Sequence, residues 1–187
     1  NSLIKFFQFL AKEYIGIIRG TPLIVQAFFF YLALVPLAIN PLIKIWFPSG
    51  MGPEVAGVII ISLNAGAYMA EILRGAIQSI DKGQLEASKS LGMTNFQAMR
   101  YIILPQAFKR ALPTLVGEMI ALIKDSSLVS VISITDLTKV GKEIVANTFS
   151  AFETWIVIAL VYLAITSILS YIGHVLEKKL AAKGGVS

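Results

Sequence analysis

The chain has 187 residues, 56% of them hydrophobic and only 14% charged, with a mean hydropathy of +0.77; soluble domains carry about 25% charged residues, so this is the composition of a membrane domain. Zero cysteines exclude a disulfide framework, a thiolate metal site and a cysteine nucleophile, and one histidine excludes a histidine cluster. The net charge of +5 is dispersed between apolar runs, which points to membrane topology and not to nucleic acid.

Residues 1–18 carry Lys5, Lys12 and Glu13 with no small-residue cleavage site behind an apolar core, so a cleavable signal peptide is not expected there. Four spans follow, each near the 20 or so apolar residues that match a hydrocarbon core. The first, 20–43, is uncharged; it is expected to start near Pro22 and to bend or end near Pro36, with the aromatic run Phe28–Tyr31 packing on lipid or neighbouring helices. The second, 55–77, is apolar to Ala70 and then carries Glu71 and Arg74. The third, 111–134, is interrupted by Glu118, Lys124 and Asp125; the fourth, 154–173, is the cleanest, with His174 expected at its interface. The tail AAKGGVS is expected to be disordered.

Twelve of the sixteen Lys and Arg residues fall on the side that holds the loop around Glu86, and only Lys44, Lys139 and Lys142 fall opposite, with Lys124 inside a span. Because positive charge stays in the cytoplasm, the Glu86 loop and the C-terminus are expected to be cytoplasmic, and 37–54 and 133–153 to face outward. The whole chain reads as a single transmembrane domain, 1–187, with a cytoplasmic hairpin over 79–110.

Within the hairpin, Lys82–Ser90 has good helix propensity and Gly92 suits a sharp turn. A second helix is expected over Asn95–Ile103, stopping before Pro105. From composition alone this segment reads either as a docking surface, oriented by Glu86 beside Lys89 and Arg100, or as an amphipathic helix on the inner leaflet.

The spacing across EASKSLGMTNFQAMRYIILP, residues 86–105, decides between them. Glu86, Ala87 and Ser88, then Gly92, then Ile102, Leu104 and Pro105 resemble the EAA motif of the membrane subunits of bacterial ATP-binding-cassette (ABC) importers, with Ser88 in place of the motif's second alanine. RGTPLIVQAFFFY at 19–31, NAGAYMAEILRGAI at 64–77 and LIKDSSLVSVIS at 122–133 are similar to segments of the polar amino acid subgroup. The resemblance implies an all-α polytopic transmembrane bundle of the type I importer permease kind. It also implies five spans, so a first span is expected ahead of Asn1: either the sequence is a truncated or partly observed copy, which is the favoured reading, or that span is dispensable. The hairpin would be the coupling helix, with Glu86, Ala87, Ser88, Lys89, Leu91, Gly92 and Arg100 meeting a cytoplasmic ATPase. The implied partners are ABC ATPase subunits, a second permease subunit (the same chain or a related one), an external solute-binding protein, an amino acid substrate and membrane lipid, all at the bacterial inner membrane. No GxxxxGK[ST] loop is present, so no cofactor is expected in this chain and ATP and Mg²⁺ would be bound by the partner ATPase.

Ionisable groups inside a bilayer are costly and usually face a cavity, which makes them the candidates for the transport path. Asn64, Tyr68 and Glu71 share one helix face, as do Glu118 and Asp125. Asn64 and Glu118 are each near the middle of a span, where such importers hold substrate. Glu71 reads as an ion pair with Arg74 or as a substrate contact. Lys124 reads as a partner of Asp125 or Glu118, a ligand for a substrate carboxylate, or a snorkelling side chain. Ser126 and Ser127 read as substrate ligands or as hydroxyls bonded back to the helix, and Gln26 as an interhelical contact or a lining group. Three acidic groups against Lys124 and Arg74 lead to the expectation of a basic amino acid (arginine, lysine or histidine), with glutamine as the alternative. A passive channel or a scaffold subunit is the runner-up from another class. No catalytic constellation and no metal-ligand cluster can be drawn.

Overall fold

The computed structural model describes residues 2–182, and no strand occurs among them. The tail read as disordered begins with two helical residues, Ala181 and Ala182; its remainder, 183–187, lies outside the described residues. The chain packs as two compact units: among the described residues, 2–68 with 121–166 and 69–120 with 167–182.

In the first unit, α1 (Ser2–Gly20) buries none of its side chains. Extended Pro22 (φ −64°, ψ 138°) ends the link behind it, and its carbonyl accepts from Val25 and Gln26 N–H at 3.0 and 3.1 Å, so α2 (Leu23–Phe28) starts where proline dictates. The helix does not end at Pro36. Residues Phe29–Ile39 wind as a π-helix and the chain continues helically as α3 (Asn40–Ile43). Asn40 N–H reaches back five residues to the Val35 carbonyl; this wider turn accommodates a ring that would collide with the carbonyl four residues back in an α-helix. The aromatic run splits: Phe29 is exposed, whereas Phe30 and Tyr31 pack on the core of Leu23, Ala27, Val35, Ile60, Val129 and Ile132.

Helix α4 (Pro53–Gln78) begins in this unit, and Ala27, Ala56 and Ala67 are fully buried. Small residues at such contacts let helix backbones approach closely. At Gly57 an added Cβ would stand 2.0 Å from Ile134 Cδ1. The unit continues with a 3₁₀ turn, Ser126–Ile132, and α8 (Leu137–Thr148), capped by the Asp136 carboxylate on Lys139 N–H at 2.8 Å, and runs on to Thr166.

The second unit holds the hairpin, α5 (Lys82–Ser90) and α6 (Asn95–Ala98), then a π-turn, Met99–Ile103, leading into α7 (Leu104–Asp125). The predicted stop before Pro105 is therefore corrected. The Leu104 N–H bonds five residues back to Met99, and the wider turn carries the helix past the proline. The last helix, α9 (Ala151–Ala182), ends in this unit, where Gly173 packs so tightly that a Cβ would meet Val116 Cγ1 at 2.2 Å.

Three helical stretches among the described residues are long and apolar enough to cross a membrane: Leu23–Ile43, Pro53–Gln78 and Ala151–Lys179. The expected third span, 111–134, differs. It is the end of α7, which carries Lys109, Arg110, Glu118, Lys124 and Asp125, joined to the 3₁₀ turn, so its charge load keeps it out of that set.

Candidate functional site

The hairpin is built by local hydrogen bonds that the sequence encodes. Asp81 caps α5 by accepting from Gly83 N–H at 2.6 Å. Thr94 and Gln97 form a capping box at α6, Gln97 N–H to Thr94 Oγ1 at 3.2 Å and Thr94 N–H to Gln97 Oε1 at 2.8 Å. Between them Gly92 adopts φ +78°, a left-handed conformation that explains the glycine. Ile80, Ile103 and Ala107 form the core beneath, with Leu85 and Ile102 against it. Arg110 donates to the Ser79 carbonyl, and Gln106 donates to Gln84 Oε1 at 3.4 Å, which ties the two arms together.

This core fixes which motif residues face out. Glu86, Ala87, Lys89, Leu91, Gly92 and Arg100 are exposed, Leu91 by 83%. Ser88 is buried, and its hydroxyl donates to the Gln84 carbonyl at 2.6 Å, so its smallness serves packing inside the hairpin. Arg100 stands 5.9 Å over the Tyr101 ring. Phe96 is 71% exposed and adds apolar surface that the motif spacing did not mark; the Thr-x-x-Gln box beside it was the available signal.

The candidate substrate residues divide by unit. In the first, Asn64 is buried and its amide donates to Gln26 Oε1 at 3.4 Å. Gln26 in turn donates to the carbonyls of Ile18 (2.7 Å) and Thr21 (2.9 Å), which makes it the interhelical contact of the two readings. Tyr68 lies under the Arg19 guanidinium, 5.4 Å from its ring centroid. Lys124 is exposed and forms no ion pair with Asp125, since adjacent helical residues point about 100° apart. Ser126 and Ser127 donate to the carbonyls of Ile123 (2.7 Å) and Lys124 (2.6 Å), bonded back to their own helix.

In the second unit, Glu71 and Arg74 form a two-pronged ion pair, Nε to Oε2 at 2.8 Å plus a shorter contact to Oε1, and Arg74 extends to Gln78 at 3.1 Å. This is the ion pair foreseen from the i, i+3 spacing. Glu118 is half-buried on α7. His174 is exposed, 3.8 Å from Glu177.

Residues 3–182 match the family described as "Binding-protein-dependent transport system inner membrane component". The chain is 45% identical over 171 residues to the glutamine transport system permease protein GlnP of Escherichia coli (strain K12), covering 91% of this chain and 74% of the relative. It is 36% identical over 179 residues to the arginine transport system permease protein ArtQ of Bacillus subtilis (strain 168), covering 96% and 78%. Among solved structures it resembles an amino acid ABC transporter crystallised with histidines, with a TM-score of 0.82, 41% identity, and coverage of 94% of this chain and 78% of that one. With its all-helical fold and apolar spans, this chain belongs to the family of inner membrane components of binding-protein-dependent transport systems, and it is an amino acid ABC importer permease.

Proposed function

We propose that this permease carries a basic amino acid by alternating access, with Glu118 receiving the side-chain cation. The observation that carries this reading is the half-buried carboxylate of Glu118 on α7, a helix of a membrane permease. Acids in such helices generally face a bundle interior or water-filled cavity, where they attract a cation. The arginine permease and the histidine-containing structure among its relatives support a cationic substrate. Glutamine is the second reading, favoured by the 45% identity to the glutamine permease; its side-chain amide would then donate to Glu118.

Energy enters through the hairpin. On this reading it lies in the cytoplasm and its exposed Leu91, Phe96 and Glu86 seat in an ATPase subunit, which holds the ATP and Mg²⁺. An external binding protein delivers the amino acid to the outward side around 133–153, and two permease subunits, identical or related, enclose the path. Uptake of arginine and glutamine by the complete transporter, wild type and Glu118→Gln, tests the substrate claim. Removing one partner of a desolvated charge pair costs about 3–5 kcal/mol, or at least about a hundredfold. Arginine uptake is expected to fall by that order in the variant while glutamine uptake persists. Unchanged arginine uptake, or a wild-type preference for glutamine, would overturn it.

A further inference from the structure

Helix α1 gathers its three basic residues on one side, with Glu13, its one acidic residue, exposed about 100° around the helix from Lys12. Lys5, Lys12 and Arg19 recur every seven residues, a spacing that drifts by only about 20° per repeat, so they form one cationic seam. Most of the remaining circumference is apolar, including Leu3, Phe6, Phe7 and Leu10, which are between 45% and 68% exposed. The second half of the helix is anchored: the Tyr14 hydroxyl donates to the Leu63 carbonyl of α4, and Arg19 lies over Tyr68. Lys5 and Lys12 are both exposed. Ile17 and Ile18 of the same helix line an apolar cleft of ≈ 320 Å³ with Val25, Phe29 and Leu63.

We infer that α1 is a binding site for anionic phospholipid, with Lys5 and Lys12 holding headgroup phosphates and the cleft beside Ile17 taking an acyl chain. A helix with a basic polar face and an aromatic apolar face lies at the headgroup–acyl boundary, where its burial and its charge act together. The seam argues for lipid over a second copy of this chain, because anionic headgroups neutralise Lys5 and Lys12, whereas α1 packed on α1 through the apolar face would leave both unneutralised. On the proposed orientation the seam faces the cytoplasmic leaflet, which carries the anionic lipid.

The test is lipid retention by the assembled transporter purified from vesicles of equimolar phosphatidylcholine and phosphatidylglycerol, read by mass spectrometry of the co-purified lipid without amino acid present, so that its outcome is independent of the substrate assignment. The wild type should retain phosphatidylglycerol in preference, less so at high salt. Lys5→Gln/Lys12→Gln should lower that enrichment by about tenfold to thirtyfold, at about 1 kcal/mol per basic residue. Lys5→Arg/Lys12→Arg, with the charge kept, should restore it and so separates lipid binding from misfolding. Equal retention of the two lipids by the wild type, or an enrichment that survives the Gln variant, overturns the inference. So does efficient disulfide formation between Phe7→Cys copies without lipid enrichment, which would assign the face to a second copy.

Discussion

The Asn64 amide on α4 donates to the Gln26 carbonyl oxygen on α2 at 3.4 Å, and the Gln26 amide nitrogen is itself engaged by the Ile18 and Thr21 carbonyls and the Thr21 hydroxyl. One glutamine thus joins the end of α1, the start of α2 and the middle of α4. Its orientation is fixed by three acceptors on the nitrogen side, which turns the oxygen toward Asn64.

Gln26→Leu should therefore destabilise the protein more than Asn64→Leu. The first leaves several acceptors without their donor, at about 1–3 kcal/mol, whereas the second removes a single long bond worth about 0.5–1.5 kcal/mol net. Thermal unfolding in detergent, with the double variant closing the cycle, measures both; equal effects of the two single changes would contradict the geometry.

Ser126→Ala and Ser127→Ala should leave uptake affinity almost unchanged, because both hydroxyls are bonded to carbonyls of their own helix. A change within about 0.5 kcal/mol corresponds to about twofold in apparent affinity. A tenfold loss in concentration-dependent uptake would restore these serines to the substrate site.

The orientation inferred from charge is open to direct labelling, since the chain has no cysteines of its own. Asn95→Cys leaves the Thr94 cap intact, and Asn147→Cys lies on exposed α8. A membrane-impermeant maleimide added to intact cells should label Asn147→Cys and spare Asn95→Cys until the membrane is opened. The reverse pattern would invert the topology.

The hairpin was the most legible part of the chain, for a local reason: the predicted α5, Lys82–Ser90, matches the structure, and Gly92 has the positive φ its position demanded. Pro105 is not the helix end that the sequence suggests, and of the bend or end expected near Pro36 the end does not occur, because local logic knows the missing N–H and the ring clash but not the π-turn that absorbs them. Among the candidate site residues, the Glu71–Arg74 pair was readable from its i, i+3 spacing. Asn64 was recognisable as a buried polar group, but its link to Gln26 joins positions 38 residues apart, and only packing sets that contact. Ser88 shows the same limit, since spacing identified the motif residue while the core beneath decided that it faces inward.

The central claim is that hairpin geometry couples this permease to ATP hydrolysis, and Gly92 is the position at which to test it. A Cβ there would meet nothing within 4 Å, so a side chain acts through backbone conformation at φ +78° and not through a clash, and proline also removes the Gly92 N–H bond to the Lys89 carbonyl at 2.9 Å. Asn accepts the left-handed region, Val is strained there by about 1–2 kcal/mol, and Pro cannot adopt it. The decisive measurement is amino acid uptake together with ATP hydrolysis in proteoliposomes containing the complete transporter. Gly92→Asn should retain coupled transport, and Gly92→Pro should lose uptake together with the ATPase stimulation that accompanies it, while the membrane domain remains inserted. Wild-type uptake and wild-type stimulation in Gly92→Pro would contradict the coupling role of the hairpin.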